Sequence, residues 1–211
     1  MGFCHLHTHT EYSLLDGEAS VKKLVARVAE LGMESCAITD HGVMYGVVDF
    51  YRECRDKGIK PIIGCEVYVA PKSRFDKVYG VDNKYSHLIL LAENDIGYKN
   101  LIYLVSMGCI EGYYYKPRID KELLKNHSDG LIALSACIAG EVPSKLLSGD
   151  RRGAKKAAEE YIEIFGKDNY FIEIQDHNLP EQKRGLPELI SLAEELGLGL
   201  VATNDIHYLT R

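Results

Sequence analysis

His7-Thr8-His9-Thr10 closes an extended stretch, alternating apolar and polar, that begins at Phe3. Residues two apart on a strand point the same way, so the imidazoles of His7 and His9 can meet at one point and His5 can extend the row. Neutral imidazole ligates zinc, iron and manganese-type ions. Taken alone, such a pair is equally a strand end rich in histidine. Asp16, one loop further on, can add an oxygen, and Asp205 and His207 repeat the spacing of two near the C-terminus. Between them lie His41, Glu66, His87 and Cys137. Five imidazoles, three carboxylates and one thiolate exceed what one tetrahedral ion takes up. The set fits a cluster of two or three divalent ions, with Glu66 as the bridge. Cys137 favours zinc or iron, and the carboxylates favour manganese or magnesium. Such a cluster clamps the oxygens of a phosphate ester and makes hydroxide available near neutral pH.

These side chains act together only if the chain delivers them to one place. Expected helices cover 21–31 (capped by Ser20, ended by Gly32), 46–57, 96–109, a short piece from Asp120 to 126, 150–165 capped by Asp150, and 187–196. Expected strands cover 3–10, 35–38, 60–69, 85–92, 130–134, 170–174 and 199–202. Residues 70–84 are polar and read as a loop or small hairpin. Strands mostly separated by helices predict a parallel sheet. About seven such units in about 200 residues suit a closed or nearly closed barrel. An open doubly wound sheet is the alternative, weakened by the lack of a phosphate-binding glycine motif. In a parallel barrel the C-terminal strand ends converge on one rim, and the candidate ligands fall mostly at that position.

The length of 211 residues allows one large domain or two small ones. No internal repeat or dividing linker is visible, so residues 1–211 are read as a single domain. No apolar run reaches a membrane span and no basic-then-apolar leader opens the chain, which predicts no membrane partner. Six scattered cysteines without a CxxC pair fit reduced thiols in the cytoplasm. A formal net charge of −6 excludes bulk electrostatics as the means of holding a polyanion, so bound metal must supply the local positive charge.

Asp40 can orient an imidazole from behind, or simply cap a turn. The run Tyr113-Tyr114-Tyr115-Lys116-Pro117-Arg118 combines stacking faces with phosphate-seeking charge, so Tyr114, Lys116 and Arg118 are candidate substrate contacts, a packed aromatic loop being the other reading. His177 follows a strand on the same rim and is a further candidate for substrate.

His7-Thr8-His9-Thr10, the run from Glu11 to Gly17, Thr39-Asp40-His41-Gly42, Gly64-Cys65-Glu66, Ser135-Ala136-Cys137 and Asn204-Asp205-Ile206-His207-Tyr208 resemble, in order, the motifs of the PHP (polymerase and histidinol phosphatase) family. The likeness covers essentially the whole chain and is nearest to the N-terminal PHP domains of bacterial DNA polymerase III alpha subunits. It implies a distorted seven-stranded α/β barrel of the (β/α)7, TIM-like type with up to three metals on its rim. The ligands it implies are His7, His9, Asp16, His41, Glu66, His87, Cys137, Asp205 and His207. It implies a metal-dependent phosphoesterase, in polymerases a 3′-to-5′ proofreading exonuclease acting at a DNA 3′ end, with the rest of the alpha subunit as partner. Catalysis is then expected from Glu66, Asp205 and His207, the leaving-group proton being carried by Asp205 or a histidine. Polymerase catalytic carboxylates are not expected in a chain ending at Arg211. Two other functions compete: a small-molecule phosphomonoesterase of the histidinol phosphatase kind, and a scaffold that its metals merely stabilise.

Overall fold

Two sets of backbone hydrogen bonds, one on each side, hold the N-terminal stretch. The computed structural model describes residues 2–210, and within them residues 5–9 run between two neighbours. On one side Ala37 N–H donates to the His5 carbonyl (2.8 Å) and Thr39 N–H to that of Thr8 (2.9 Å). On the other, His9 N–H donates to the Ile206 carbonyl (2.7 Å) and Ile206 N–H to that of His7 (3.1 Å). Thr8 N–H turns instead to Thr39 Oγ1 (2.8 Å), which breaks the ladder. The strand expected over 3–10 is therefore present only as isolated bridges, His5 to Cys36 and Thr8 to Ile206.

The regular elements follow in the order α1 (Val21–Glu30), β1 (Ser35–Ile38), α2 (Val47–Asp56), β2 (Lys60–Val69), β3 (Ser86–Ala92), α3 (Asp95–Ile110), β4 (Arg118–Ile119), α4 (Lys121–Asn126), β5 (Leu131–Leu134), α5 (Glu141–Leu147), α6 (Arg151–Phe165), β6 (Tyr170–Ile174), α7 (Pro180–Leu196) and β7 (Leu200–Ala202). The sheet order is β1-β2-β3-β5-β6-β7, with the short β4 beside β2. Residues 5–9 link the β1 side to the segment beyond β7, so the sheet curls into a distorted, TIM-like barrel wall. Ala37, Ile89, Leu91, Leu134 and Ala136 form one buried cluster. Helices α3 to α7 cover one stretch of the wall and α1 with α2 cover β1, each through its own apolar cluster.

The expected parallel sheet is corrected in one place: β3 runs antiparallel to both β2 and β5. The connection from β2 to β3 contains no helix, and a strand returning without a crossover can only lie antiparallel to its predecessor. This reversal brings the start of β3, with His87, to the rim where the parallel strands end. The cross-strand pair Tyr68–His87 lies two residues from the pair Glu66–Ile89, so Glu66 and His87 share a face.

Two other expectations change. Helix α7 starts at Pro180 rather than 187, with Pro180 at its first position and Pro187 tolerated inside. Ser20 occupies the cap position of α1 without a side-chain bond, and Glu11 Oε1 accepts from Val21 N–H (3.3 Å) in its place. Asp120 and Asp150 cap α4 and α6 as expected, accepting from Leu123 and Gly153 N–H.

Candidate metal centre

His7 and His9 are both fully buried, and each has its Nδ1 committed to a partner behind it. His7 Nδ1 lies 2.7 Å from Glu173 Oε1, so it donates there. His9 Nδ1 lies 2.9 Å from Ser13 Oγ. Ser13 Oγ has one proton, which it donates to Asp40 Oδ1 (2.7 Å), so it accepts from His9. Both rings are thereby fixed with Nε2 bare and facing forward. Asp40, read as either orienting an imidazole or capping a turn, touches no imidazole directly: it accepts from Ser13 Oγ behind His9 and from Thr10 N–H (2.6 Å) and Thr10 Oγ1 (2.8 Å). The loop that carries Ser13 and Asp16 closes at Gly17, where a Cβ would stand 2.0 Å from the Thr10 carbonyl oxygen.

Glu66, 1 % exposed at the end of the barrel, is the hub of the cluster. Its Oε1 faces His87 Nδ1 (2.8 Å) and His7 Nε2 (3.5 Å). Its Oε2 faces His41 Nδ1 (2.5 Å) and His9 Nε2 (3.4 Å). Asp205 Oδ1 completes the near side, 3.1 Å from His7 Nε2, 3.2 Å from His9 Nε2 and 3.1 Å from His207 Nε2. Asp205 has φ 45°, a left-handed backbone that few non-glycine residues adopt. Asp16 reaches in from its loop to His41 Nε2 (2.9 Å) and His207 Nδ1 (3.2 Å). Cys137 Sγ lies further out, 4.0 Å from His87 Nδ1.

The electrostatics follow from this crowding. Burial lowers the pKa of His7, but Glu173 and Glu66 outweigh it and raise the group well above the ordinary imidazole value. Burial likewise lowers His41 and His207, while Glu66 with Asp16, and Asp205 with Asp16, carry them above it. His9 stays below, because burial wins. Burial pushes Glu66 and Asp205 up, yet the surrounding histidines hold both carboxyls below the usual range. Burial and the Glu66 carboxylate push the Cys137 thiol up.

Once the imidazoles give up their extra protons, the atoms that face the middle are acceptors. The bare Nε2 atoms of His7 and His9 lie 3.1 Å apart, with carboxylate oxygens of Glu66 and Asp205 around them. Lone pairs this close repel unless a proton or a cation lies between them. His41 Nδ1, Glu66 Oε2 and His207 Nδ1 are buried, and their close contacts with one another and with Asp16 lack the angles of a hydrogen bond. Three overlapping groups, His9-His41-His207, His7-His9-Glu66 and His41-Glu66-His87, each bring ligand atoms within 4.8 Å of one another. Imidazole with carboxylate suits divalent transition ions, so the residues present fit the expected metals.

Eight of the nine expected ligands thus converge, and Cys137 stands beside His87. The substrate candidates fare differently. Arg118 is corrected: it is fully buried, and its guanidinium donates to the carbonyls of Gly112, Asp82, Arg74 and Asp76. That bonding pins residues 74–82 to the tyrosine turn, and full burial keeps the guanidinium from substrate. Tyr114 packs over the Arg118 guanidinium (5.2 Å). Lys116 is exposed and lines a cleft with Asp16, His41 and His87. His177 is exposed on a broader groove that it shares with Asp16, Asp205 and His207.

Glu173 was not foreseen. It lies within β6 between Ile172 and Ile174, and only the contact with His7 across the barrel reveals it. Thr203 Oγ1 and Gln175 Nε2 also donate to its Oε1. A Glu173→Gln variant is expected to lose metal affinity by about 10–100-fold, because the neutral amide oxygen is a weaker acceptor for the His7 Nδ1 proton and no longer raises the basicity of its Nε2. Titration with a competing chelator checks this, and an unchanged affinity would remove Glu173 from the centre.

The chain is similar to known proteins over nearly its whole length. A family model described as the PHP domain matches residues 5–177. The DNA polymerase III subunit alpha of Treponema pallidum is 54% identical over 209 residues, covering 99% of this chain and 18% of that protein. The one from Thermus aquaticus is 48% identical over 213 residues, covering 99% and 17%. The chain therefore spans less than a fifth of the length of these relatives. Among solved structures, an amidohydrolase from Chromobacterium violaceum, with bound sulfate and no metal, superimposes with a TM-score of 0.61 at 14% identity over 97% of this chain and 87% of that one. A candidate metal-dependent phosphoesterase from Bifidobacterium adolescentis gives 0.50 at 15% identity over 99% and 88%. At such identities these two bear on the fold alone. Fold, motif order and sequence identity lead to one assignment: the chain belongs to the PHP domain family.

Proposed function

We propose that this chain is a metal-dependent phosphoesterase whose substrate is a DNA 3′ end, shortened in the 3′-to-5′ direction. The observation that carries the reading is the buried centre, in which the Nε2 atoms of His7 and His9 and the carboxylates of Glu66 and Asp205 converge within about 3.5 Å of one another. The ligand set is His7, His9, Asp16, His41, Glu66, His87, Cys137, Asp205 and His207, and it takes two or three divalent ions, zinc, manganese, iron or magnesium. Divalent ions held there neutralise phosphate charge and lower the pKa of water. The chain's own residues do the positioning. Glu173 and the Ser13–Asp40 pair hold the tautomers of His7 and His9. Lys116, exposed at the cleft, meets phosphate. Asp205 or a histidine of the centre would hand the proton to the leaving oxygen, and Asp16 and Asp205 hold the His207 ring in place.

Identity to DNA polymerase III alpha subunits supports the DNA substrate, a proofreading role in the cytoplasm, and the remainder of an alpha subunit as partner. Residues 1–211 then act as one PHP domain of such a polymerase. Among the described residues no helix is long and apolar enough to cross a membrane. The test is a 5′-labelled single strand incubated with the protein and manganese. A ladder shortening from the 3′ end, suppressed by chelator, is the expected result. An intact strand beside rapid hydrolysis of phosphate monoesters would replace this reading with a small-molecule phosphatase. An intact strand with no ester turned over would leave a scaffold.

A further inference from the structure

The tyrosine-rich turn and the centre meet at a cleft of about 360 Å³ that His41, His87 and Asp16 help to line. Its aromatic wall is continuous. Tyr68 stacks on His41 (6.1 Å, 20°) and meets Tyr85 edge-on (4.9 Å), and Tyr85 stacks on His87 (6.0 Å, 6°). Lys116 Nζ lies 5.4 Å from the Tyr68 ring centre. At the mouth, Tyr113 and Tyr115 are 58% and 59% exposed, large rings without cover.

Tyr115 has φ 62°, a left-handed backbone in which a bulky side chain is held only when its surroundings dictate it. The surroundings here are explicit. Tyr114 N–H donates to the Lys116 carbonyl (3.1 Å) across the turn, and buried Arg118 donates to the Gly112 carbonyl (3.1 Å) at its base. The turn is therefore built to present Tyr115 rather than to bury it. Tyrosine faces with one cation, adjoining phosphate-directed chemistry, match an unstacked base and its phosphate. The volume is at the low end for small-molecule sites, which suits one nucleotide and no more. Across Asp16 lies a broader groove of about 1030 Å³, also lined by Asp205 and His207.

We propose that the tyrosine cleft is a slot for the base of the terminal nucleotide, while the broader groove carries the preceding strand. This rests on the phosphodiesterase reading above. The bond that breaks then joins phosphorus to the 3′ oxygen of the penultimate nucleotide. Water supplies hydroxide to phosphorus and a proton to that oxygen, releasing one 5′-mononucleotide and a strand with a new 3′ hydroxyl.

The test is equilibrium binding, by calorimetry with manganese present, of deoxyadenosine 5′-monophosphate and of 2-deoxyribose 5-phosphate. The nucleotide is expected to bind about tenfold or more tightly than the sugar phosphate. A Tyr113→Ala/Tyr115→Ala variant is expected to erase that difference while keeping its affinity for the sugar phosphate, and Tyr113→Phe/Tyr115→Phe to preserve it. Equal affinities in the unaltered protein, including no measurable binding of either, would overturn the slot. So would a difference that survives in the alanine variant. Strand hydrolysis measured on the same preparations separates the two readings: hydrolysis with equal affinities sinks the slot alone, and base-dependent binding without hydrolysis sinks the phosphodiesterase alone.

Discussion

Replacing Glu66 by glutamine is expected to lower strand hydrolysis on the order of 10³-fold or more and to strip ions from the centre. Each Glu66 oxygen serves two imidazoles, Oε1 those of His87 and His7, Oε2 those of His41 and His9. Two of the three overlapping ligand groups contain it. Glutamine keeps the shape but removes the charge, and its amide points protons where acceptors converge. Metal content by elemental analysis and turnover on the labelled strand give independent readouts. Asp205→Asn, run alongside, is expected to lose turnover, since Asp205 touches His7, His9 and His207. Full metal content and activity within tenfold of the unaltered protein in the Glu66 variant would refute its place as bridge.

Stripped and metal-loaded protein are expected to respond to pH in opposite directions. Above about pH 6.5 unfolded histidines are neutral. In the stripped protein His7, His41 and His207 still hold protons there, their pKa values being raised in the folded state. The folded state then binds more protons than the unfolded, so stability falls as pH rises through the raised values. His9 and His5, lowered by burial, are already neutral in both states above that pH and add no slope. Glu66 and Asp205, depressed in the fold, stabilise above the ordinary carboxylate range and lose that contribution as pH falls through their own values. Loaded protein reverses the alkaline limb, because protons compete with ions for the same nitrogens. At about 1,000 times Kd an ion adds about 4 kcal/mol, or about 8–16 °C in Tm for a chain of this size. Thermal unfolding from pH 6.5 to 9, with and without metal, checks the sign. Parallel curves would mean that the imidazoles are not where ions bind.

Much of this centre was legible in advance because its residues sit where local pattern is strong. Strands β1, β2 and β6 match the sequence reading at both ends, each being rich in apolar residues and bounded by clear turns. His41 follows β1, Glu66 lies in β2, His87 opens β3, Cys137 follows β5, and Asp205 and His207 follow β7, so placing the strands placed these candidates. The orientation of β3 was missed, although its signal was present: a return from β2 through a polar loop without a helix. Arg118 was misread because charge beside tyrosines looks the same in sequence whether it meets solvent or backbone carbonyls. Glu173 was invisible for the opposite reason. Its partner His7 lies almost the whole chain away, and nothing local marks a buried strand glutamate as one that holds a histidine.

The bridge between Thr8 and Ile206 also sets an order of events. During synthesis the first residues emerge long before the last, and they cannot be closed into the wall until Ile206 is available. Asp205 and His207 arrive with that same closure, so the ion-binding cavity is among the last features to be completed. Non-local closure of this kind slows folding, since chain entropy is lost before the contact repays it. Until Ile206 is available, residues 7–9 lack one of their two backbone neighbours, and ion uptake reports closure of the wall.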